Sequence, residues 1–321
     1  VGLSAVVGPT LQDLKGPGVA DLESQLSATL ELEDWSERGI WSAVAPHATD
    51  TVSDTLWQRV AELVEDPRRV VHAHVAQSVE EFEISHERHG CSPTEYLDRL
   101  GVLAAGAGLW VHMVFASRSD LRRLDPERHA LGFCPLSATQ FAFPAFVADW
   151  DRWFVATDCA SSNDAMNLQR ELPVVAAMRA LVTTGSSTYE RFRNSGALAD
   201  AQDTDSHRKD TFDAMTRFND PNFLLSRVWS VPGRLHPGFT AGVIEKGALA
   251  NLLVLDPRHP SLWPERDLVR TLALADTQGA LRKVMVRGDW IALPSADDPG
   301  YLDARDEAAR RFSELLQRIG L

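Results

Sequence analysis

Three cysteines are all that 321 residues contain, and Cys91, Cys134 and Cys159 show no CxxC spacing. That excludes a disulfide-stapled scaffold and predicts free thiols in a reducing compartment. No apolar run reaches the length of a membrane span. Val1–Asp13 also lacks the basic start and small-residue cleavage site of a secretory signal. Basic charge is in deficit: 32 Lys and Arg against 45 Asp and Glu leave a formal net charge of −13. A nucleic-acid surface would need clustered cations, so that class of partner is excluded. The expectation is a cytoplasmic protein with no membrane and no nucleic-acid partner. An initial Met is missing too. The chain starts at Val1 and runs at once into the strand-like Leu3–Val7, which reads as an unusual start codon or as the loss of something upstream.

What is present is an alternation of strand and helix patterns. Strands are expected at Leu3–Val7, Ile40–Ala45, Val70–Val75, Leu109–Val114, Ala130–Cys134 and Phe154–Thr157. Helical spacing falls between them, at Asp21–Leu32, Thr55–Glu65, Ser78–Arg88, Pro93–Leu100, Leu121–Leu124 and, after the last strand, Leu168–Thr183. Ser53 is placed to cap the second helix, and Asp66-Pro67 to stop it. The pattern predicts parallel strands with right-handed crossovers, six in number. After His236 the texture changes to short strands at Asn251–Asp256 and Val284–Ile291. These read as a small β domain, followed by a terminal helix Tyr301–Ile319 with Phe312, Leu315, Leu316 and Ile319 on one face. Ala197–Lys209 reads as a polar loop.

Two stretches carry chemistry. Val70–Gln77 (VVHAHVAQ) and Phe154–Asp164 (FVATDCASSND) are β-branched or apolar runs that end abruptly in His and Asp. A strand whose last inward residue is His or Asp is how an α/β barrel presents metal ligands at its C-terminal rim.

These stretches, with three others, resemble the amidohydrolase superfamily, in particular its cytosine-, guanine- and triazine-type deaminases and chlorohydrolases. Ala45-Pro46-His47-Ala48 with Thr51-Val52-Ser53 is similar to PHAPYTVS. Val71–Gln77 is similar to the HxHxAE strand, and Trp110-Val111-His112 to the strand ending in a substrate-facing His. Ala156–Asp164 is similar to GTDGAASND, and Gly242–Asp256 to GSLEPGKxADLVVLD. The resemblance implies a (β/α)8 TIM-type barrel, here lacking its first two strands, plus part of a small β-sandwich. Residues 1–235 would hold barrel strands three to eight, residues 236–295 the sandwich part, and residues 296–321 the terminal helix. It further implies one divalent metal ion, zinc or iron, with His74 and Asp158 as ligands. Asp158 would also be the proton shuttle. His112 would polarise the electrophile or bind substrate, and His47 and Gln77 would face the substrate. The activity implied is hydrolysis of a C–N bond in a small amide or amino-heterocycle by water activated at the metal.

Three departures qualify this. Gln77 stands where the family has Glu, and an amide orients but does not titrate. Phe133 stands where the family has His, followed by Cys134-Pro135, and Ser137–Phe141 replaces SNLKL. Lastly, no HxH strand precedes these motifs. Two ligands do not complete a tetrahedral site, so the expectation is a second polypeptide, or a cleaved N-terminal portion, supplying the first strands and the HxH, in a higher oligomer. His72-Ala73-His74 stays open as an alternative source of that HxH. The alternative function is a degenerate subunit that scaffolds an active partner. Glu80, Glu81 and Glu83 read as a solvated helix face. The aromatic cluster Phe141, Phe143, Phe146, Trp150, Trp153 and Phe154 reads as core and subunit contact rather than as an apolar substrate mouth. His86, His89 and His207 are assigned no role.

Overall fold

The computed structural model describes residues 4–15, 22–104, 106–143, 152–184, 209, 220–264, 267–293 and 299–318. Leu3, Asp21, Phe146, Trp150, His207, Ile319 and most of 197–209, for which the sequence raised expectations, lie outside these. The first sheet is built from β1 (Ala5–Val7), β2 (Thr10–Leu11), β3 (Ile40–Pro46), β4 (Val70–Val75), β5 (Ala107–His112), β6 (His129–Phe133) and β7 (Trp153–Val155). All its pairings are parallel, in the order β1–β3–β4–β5–β6–β7, with β2 also on β3. Between and after the strands lie α1 (Leu22–Glu31), α2 (Asp54–Leu63), α3 (Val79–His89), α4 (Pro93–Arg99), α5 (Arg118–Leu121), α6 (Pro135–Gln140) and α7 (Leu168–Thr184). The alternation read from the sequence is therefore the architecture, an α/β partial barrel.

β1 and β2 keep one register on β3, with Ala5 opposite Ile40 and Thr10 opposite Ala45. They form one stave broken at Gly8-Pro9. Pro9 has no N–H to give to the ladder. A Cβ on Gly8 would lie 2.2 Å from the Ala43 carbonyl oxygen, so only glycine permits the approach. Ser53 caps α2 as expected, accepting from Leu56 N–H, and Asp13 holds the cap from behind with a 2.8 Å bond to its N–H.

Strand alternation sorts the side chains. Val71, Ala73, Val75, Trp110, Leu131, Phe133, Trp153 and Val155 are buried with Leu56, Trp57, Val60, Leu97, Leu172 and Val175 of the helices. This is the core. The opposite set, His72, His74, Leu109, Val111, Gly132 and Phe154, faces the lumen, and the ladder places His74, Val111, Gly132 and Phe154 in one layer. His72 is exposed there. The far edge of β7 meets the chain beyond it, through Val155 N–H to the Arg227 carbonyl at 2.9 Å.

The second sheet follows α8 (Pro221–Ser226). It is antiparallel, in the order β10–β9–β8, from β8 (Leu252–Leu255), β9 (Leu281–Val286) and β10 (Asp289–Ile291). Val284–Ile291, expected as one strand, is a hairpin instead. Arg287 and Gly288 both take positive φ, the geometry of a tight two-residue turn. A helix, α9 (Leu268–Leu274), separates β8 from β9. The chain ends in α10 (Pro299–Arg318), whose Phe312 is exposed.

Candidate metal centre

His74 is the fifth residue of β4 and points into the lumen. Its Nδ1 lies 2.9 Å from the His47 carbonyl oxygen, which also accepts the His74 backbone N–H at 2.9 Å. A carbonyl only accepts, so Nδ1 carries the proton and Nε2 keeps its lone pair for a ligand.

His112 ends β5 one residue after the inward Val111, so simple alternation would turn it toward the helices. Its φ of 74° brings the chain round instead. The ring stacks on His74 at 5.3 Å between centroids, inclined by 23°. Asp158, just beyond β7, also takes a positive φ, 63°, as do Ala76 and Met113 in the adjoining strand ends. Left-handed backbone at non-glycine residues costs energy, and here it is concentrated where the strands deliver polar groups.

The Asp158 carboxylate is held from three sides. Cys159 N–H donates to Oδ1 at 2.8 Å, Ser137 Oγ to Oδ2 at 2.5 Å, and Ser162 Oγ to Oδ2 at 3.2 Å. His112 Nε2 is 4.0 Å from Oδ2. One donor atom each from His74, His112 and Asp158 lies within 4.8 Å of the others. On a flat sheet β4 and β7 would sit about 14 Å apart, three strand spacings. The convergence is thus a product of curvature as well as of side-chain reach.

The charge state suits a cation. Burial lowers the pKa of His74 and of His112, and the repulsion that a second protonated ring would exert lowers it further: His72 on His74, and His74 on His112. Both rings are neutral near pH 7 and offer lone pairs. Burial alone would raise the Asp158 pKa. The Ser137 hydroxyl, His112 and the Cys159 N–H outweigh it, and the carboxyl stays ionised. Two neutral imidazoles and a carboxylate are a donor set for zinc or iron.

The other expected residues stand around this group. His47 lies edge-on to His74, centroids 4.9 Å apart, with its Nδ1 2.8 Å from Thr51 Oγ1. Gln77 is half-buried one turn beyond β4, and its backbone N–H is given to Glu81. His72 shares the inward face of His74 but is not in the converging group. Phe133 is buried in the helix-facing core, not in the lumen. The aromatic cluster divides: Trp153 is core, Phe154 faces the lumen, and Phe143 meets His112 edge-on at 6.3 Å with Phe141 against it, 53% exposed.

Sequence reasoning missed two kinds of residue. Ser137 and Ser162, which grip Asp158, lie inside the motif stretches Ser137–Phe141 and Ala156–Asp164, but no role was read for either of them. Glu81, expected in solvent, is 2% exposed and bonded to Thr49 and Gln77, whereas Glu80 and Glu83 are exposed as expected. Its signal was the spacing Ser78-x-x-Glu81, a capping pattern that turns that side chain back along the loop.

The sequence pattern of the amidohydrolase family matches residues 13–198, more than half of the chain. A 5-methylthioadenosine/S-adenosylhomocysteine deaminase of Halobacterium salinarum is 28% identical over 99% of this chain and 69% of its own length. An adenosine deaminase from Xanthomonas campestris, solved with bound zinc, superposes with a TM-score of 0.73 at 21% identity, over 99% of this chain and 67% of that one. An atrazine chlorohydrolase from Arthrobacter aurescens, solved with zinc, gives 0.70 at 15% identity, over 96% and 66%. The chain spans 60–69% of the length of five curated relatives that it matches. The parallel half-barrel, the rim on which His and Asp meet, and the match across residues 13–198 agree, and the chain belongs to the amidohydrolase family.

Proposed function

We propose that this chain carries the larger part of the catalytic centre of a metal-dependent hydrolase that cleaves a C–N bond in a small amide or amino-heterocycle. The convergence of His74, His112 and Asp158 carries the reading. Similarity to deaminases of adenosine and of 5-methylthioadenosine/S-adenosylhomocysteine supports the bond type. His74 and Asp158 would hold the ion, zinc in preference to iron. Such an ion, when bound, lowers the pKa of water into the neutral range and polarises the electrophile. Asp158 takes the proton of the attacking water at a carboxylate oxygen and returns it to the departing nitrogen. His112, neutral and beside Asp158, stabilises charge that develops at the reacting carbon. His47 orients the substrate, and Gln77 does so by hydrogen bonding alone. A Gln there favours substrates whose reaction needs no ring protonation from that position.

The remaining ligands and staves would come from polypeptide outside these 321 residues, in the same protein or as a second chain within a higher oligomer. The exposed lumenal His72 supports an opening that further strands would fill. The three free thiols support a reducing, cytoplasmic setting. Among the described residues no helix is long and apolar enough to cross a membrane. A scaffolding, non-catalytic subunit is the second reading, favoured by the Gln at position 77.

Metal analysis of the purified native assembly decides between them. One equivalent of zinc or iron per copy of this chain, lost on His74→Ala, is expected of the enzyme. An assembly without metal, unchanged by that substitution, would make the chain a scaffold.

A further inference from the structure

Burying a carboxylate is costly unless it is fully bonded, and Glu81 is bonded to two separate loops. Its Oε1 accepts from Thr49 Oγ1 at 2.5 Å, and its Oε2 accepts from the Gln77 N–H at 2.8 Å. Thr49 lies on the loop after β3, two residues past His47. Gln77 lies on the loop after β4, three residues past His74. Capping α3 requires less than this. Ser78 Oγ already accepts the Glu81 N–H at 3.0 Å, and a capping-box Glu would return to the N–H of that Ser. Glu81 reaches one residue further, and across to a buried Thr of another element.

The loop it grips delivers the His47 carbonyl, the acceptor of both the backbone N–H and the Nδ1 of His74. We infer that Glu81 is a positioning residue for the metal centre: by splinting the two loops it fixes the His47 carbonyl, and so holds His74 in the tautomer that leaves Nε2 facing His112 and Asp158. The inference rests on the metal reading above. Outer partners of a ligating His govern its orientation and basicity, and Glu81 would act one bond further out.

The charged groups around Glu81 are few. Asp50, from the Thr49 loop, is paired with Lys15 at 2.7 Å, and Lys15 also reaches Glu80, the neighbour of Glu81 on α3, at 3.5 Å. Among the described residues no cation is bonded to Glu81 itself; its partners are the Thr49 hydroxyl and the loop N–H groups.

Two variants test this without deleting bulk: Glu81→Gln, and Thr49→Val, which cuts the link from the other side. Ser78→Ala serves as the control, because it weakens the cap of the same helix and leaves the splint in place. The readouts are zinc affinity, by competition with a chromophoric chelator, and the His74 ring tautomer, by nitrogen-15 NMR of the metal-free, histidine-labelled native protein. Expected are an Nδ1–H tautomer in the parent, a rise of the Nε2–H form in both splint variants, and zinc binding weakened by about tenfold or more. Ser78→Ala should lower the melting temperature and move neither readout. Parent-like tautomer and affinity in both splint variants would overturn the inference, as would equal shifts in Ser78→Ala. Failure of the metal reading looks different: the parent binds no zinc, or His74→Ala binds it equally well. The tautomer readout then still decides the role of Glu81.

Discussion

Ser137 shows how one hydroxyl can set the behaviour of the site. It is fully buried on α6 and donates to Asp158 Oδ2 at 2.5 Å. Ser137→Ala removes the strongest of the bonds that keep the carboxyl ionised, and leaves Ser162 and the Cys159 N–H. Zinc affinity should fall about tenfold, and stability by about 2 kcal/mol, since the bond is to a charged group. Chelator competition and urea unfolding check the two figures; affinity equal to the parent would remove Ser137 from the site. Glu81 gives a prediction with a defined sign. Burial lifts its pKa from 4.5 to about 7. The folded state therefore holds a proton that the unfolded chain has released between those values. Folding stability from this group is greatest below about 4.5 and declines as pH rises to about 7, by roughly 3 kcal/mol at most. Glu81→Gln removes that slope. Unfolding curves at pH 5 and pH 8 should show the variant gaining on the parent at the higher pH; parallel behaviour would contradict the buried-acid assignment. His74, His112 and Asp158 were legible because each ends an apolar run. Glu81 was not, because a charge run on a helix reads as solvated, and what buries it is Thr49, thirty-two residues away in sequence.

The strands and their order were legible for a related reason: β-branched runs separated by helical spacing admit few topologies. The features that escaped are shorter than any period. α6 spans six residues and has only Pro135 at its start to announce it. The turn that folds Val284–Ile291 into β9 and β10 depends on Arg287 adopting a positive φ beside Gly288, which a strand-like sequence does not advertise. The break at Gly8-Pro9 could be seen only once the register of β1 and β2 against β3 was known. That break makes a prediction. In Gly8→Ala the new methyl would lie 2.2 Å from the Ala43 carbonyl oxygen, backbone that cannot rotate away. β1 and β3 must separate, at a cost of about 1–3 kcal/mol. Thermal unfolding should register it, with amide exchange accelerated in β1 and β3 ahead of β5 and β6. Uniform exchange, or no loss of stability, would mean the stave tolerates a side chain there.

The two sheets are coupled away from the metal centre as well as through the chain. Gln169, at the start of α7, donates through Nε2 to the Leu272 carbonyl at 2.8 Å and accepts the Thr277 N–H at 3.2 Å, with the Thr277 hydroxyl on the same oxygen. This clamp joins the helix behind β7 to the segment leading into β9. The three converging groups, by contrast, come from β4, β5 and a loop after β7, so an ion held there by His74 and Asp158 cross-links the rim of the first sheet and nothing in the second. Zinc at a hundred times its dissociation constant stabilises the folded state by about 2.7 kcal/mol, which for a chain of this size is a rise in melting temperature on the order of 5 °C. Because that energy enters at the strand ends, amide protection should rise in Ala76, Met113 and Cys159 while β8–β10 stay as they were. A chelator should reverse the shift, and His74→Ala should abolish it with the second sheet still protected. A zinc response spread evenly over both sheets, or one surviving His74→Ala, would place the ion somewhere other than between His74, His112 and Asp158.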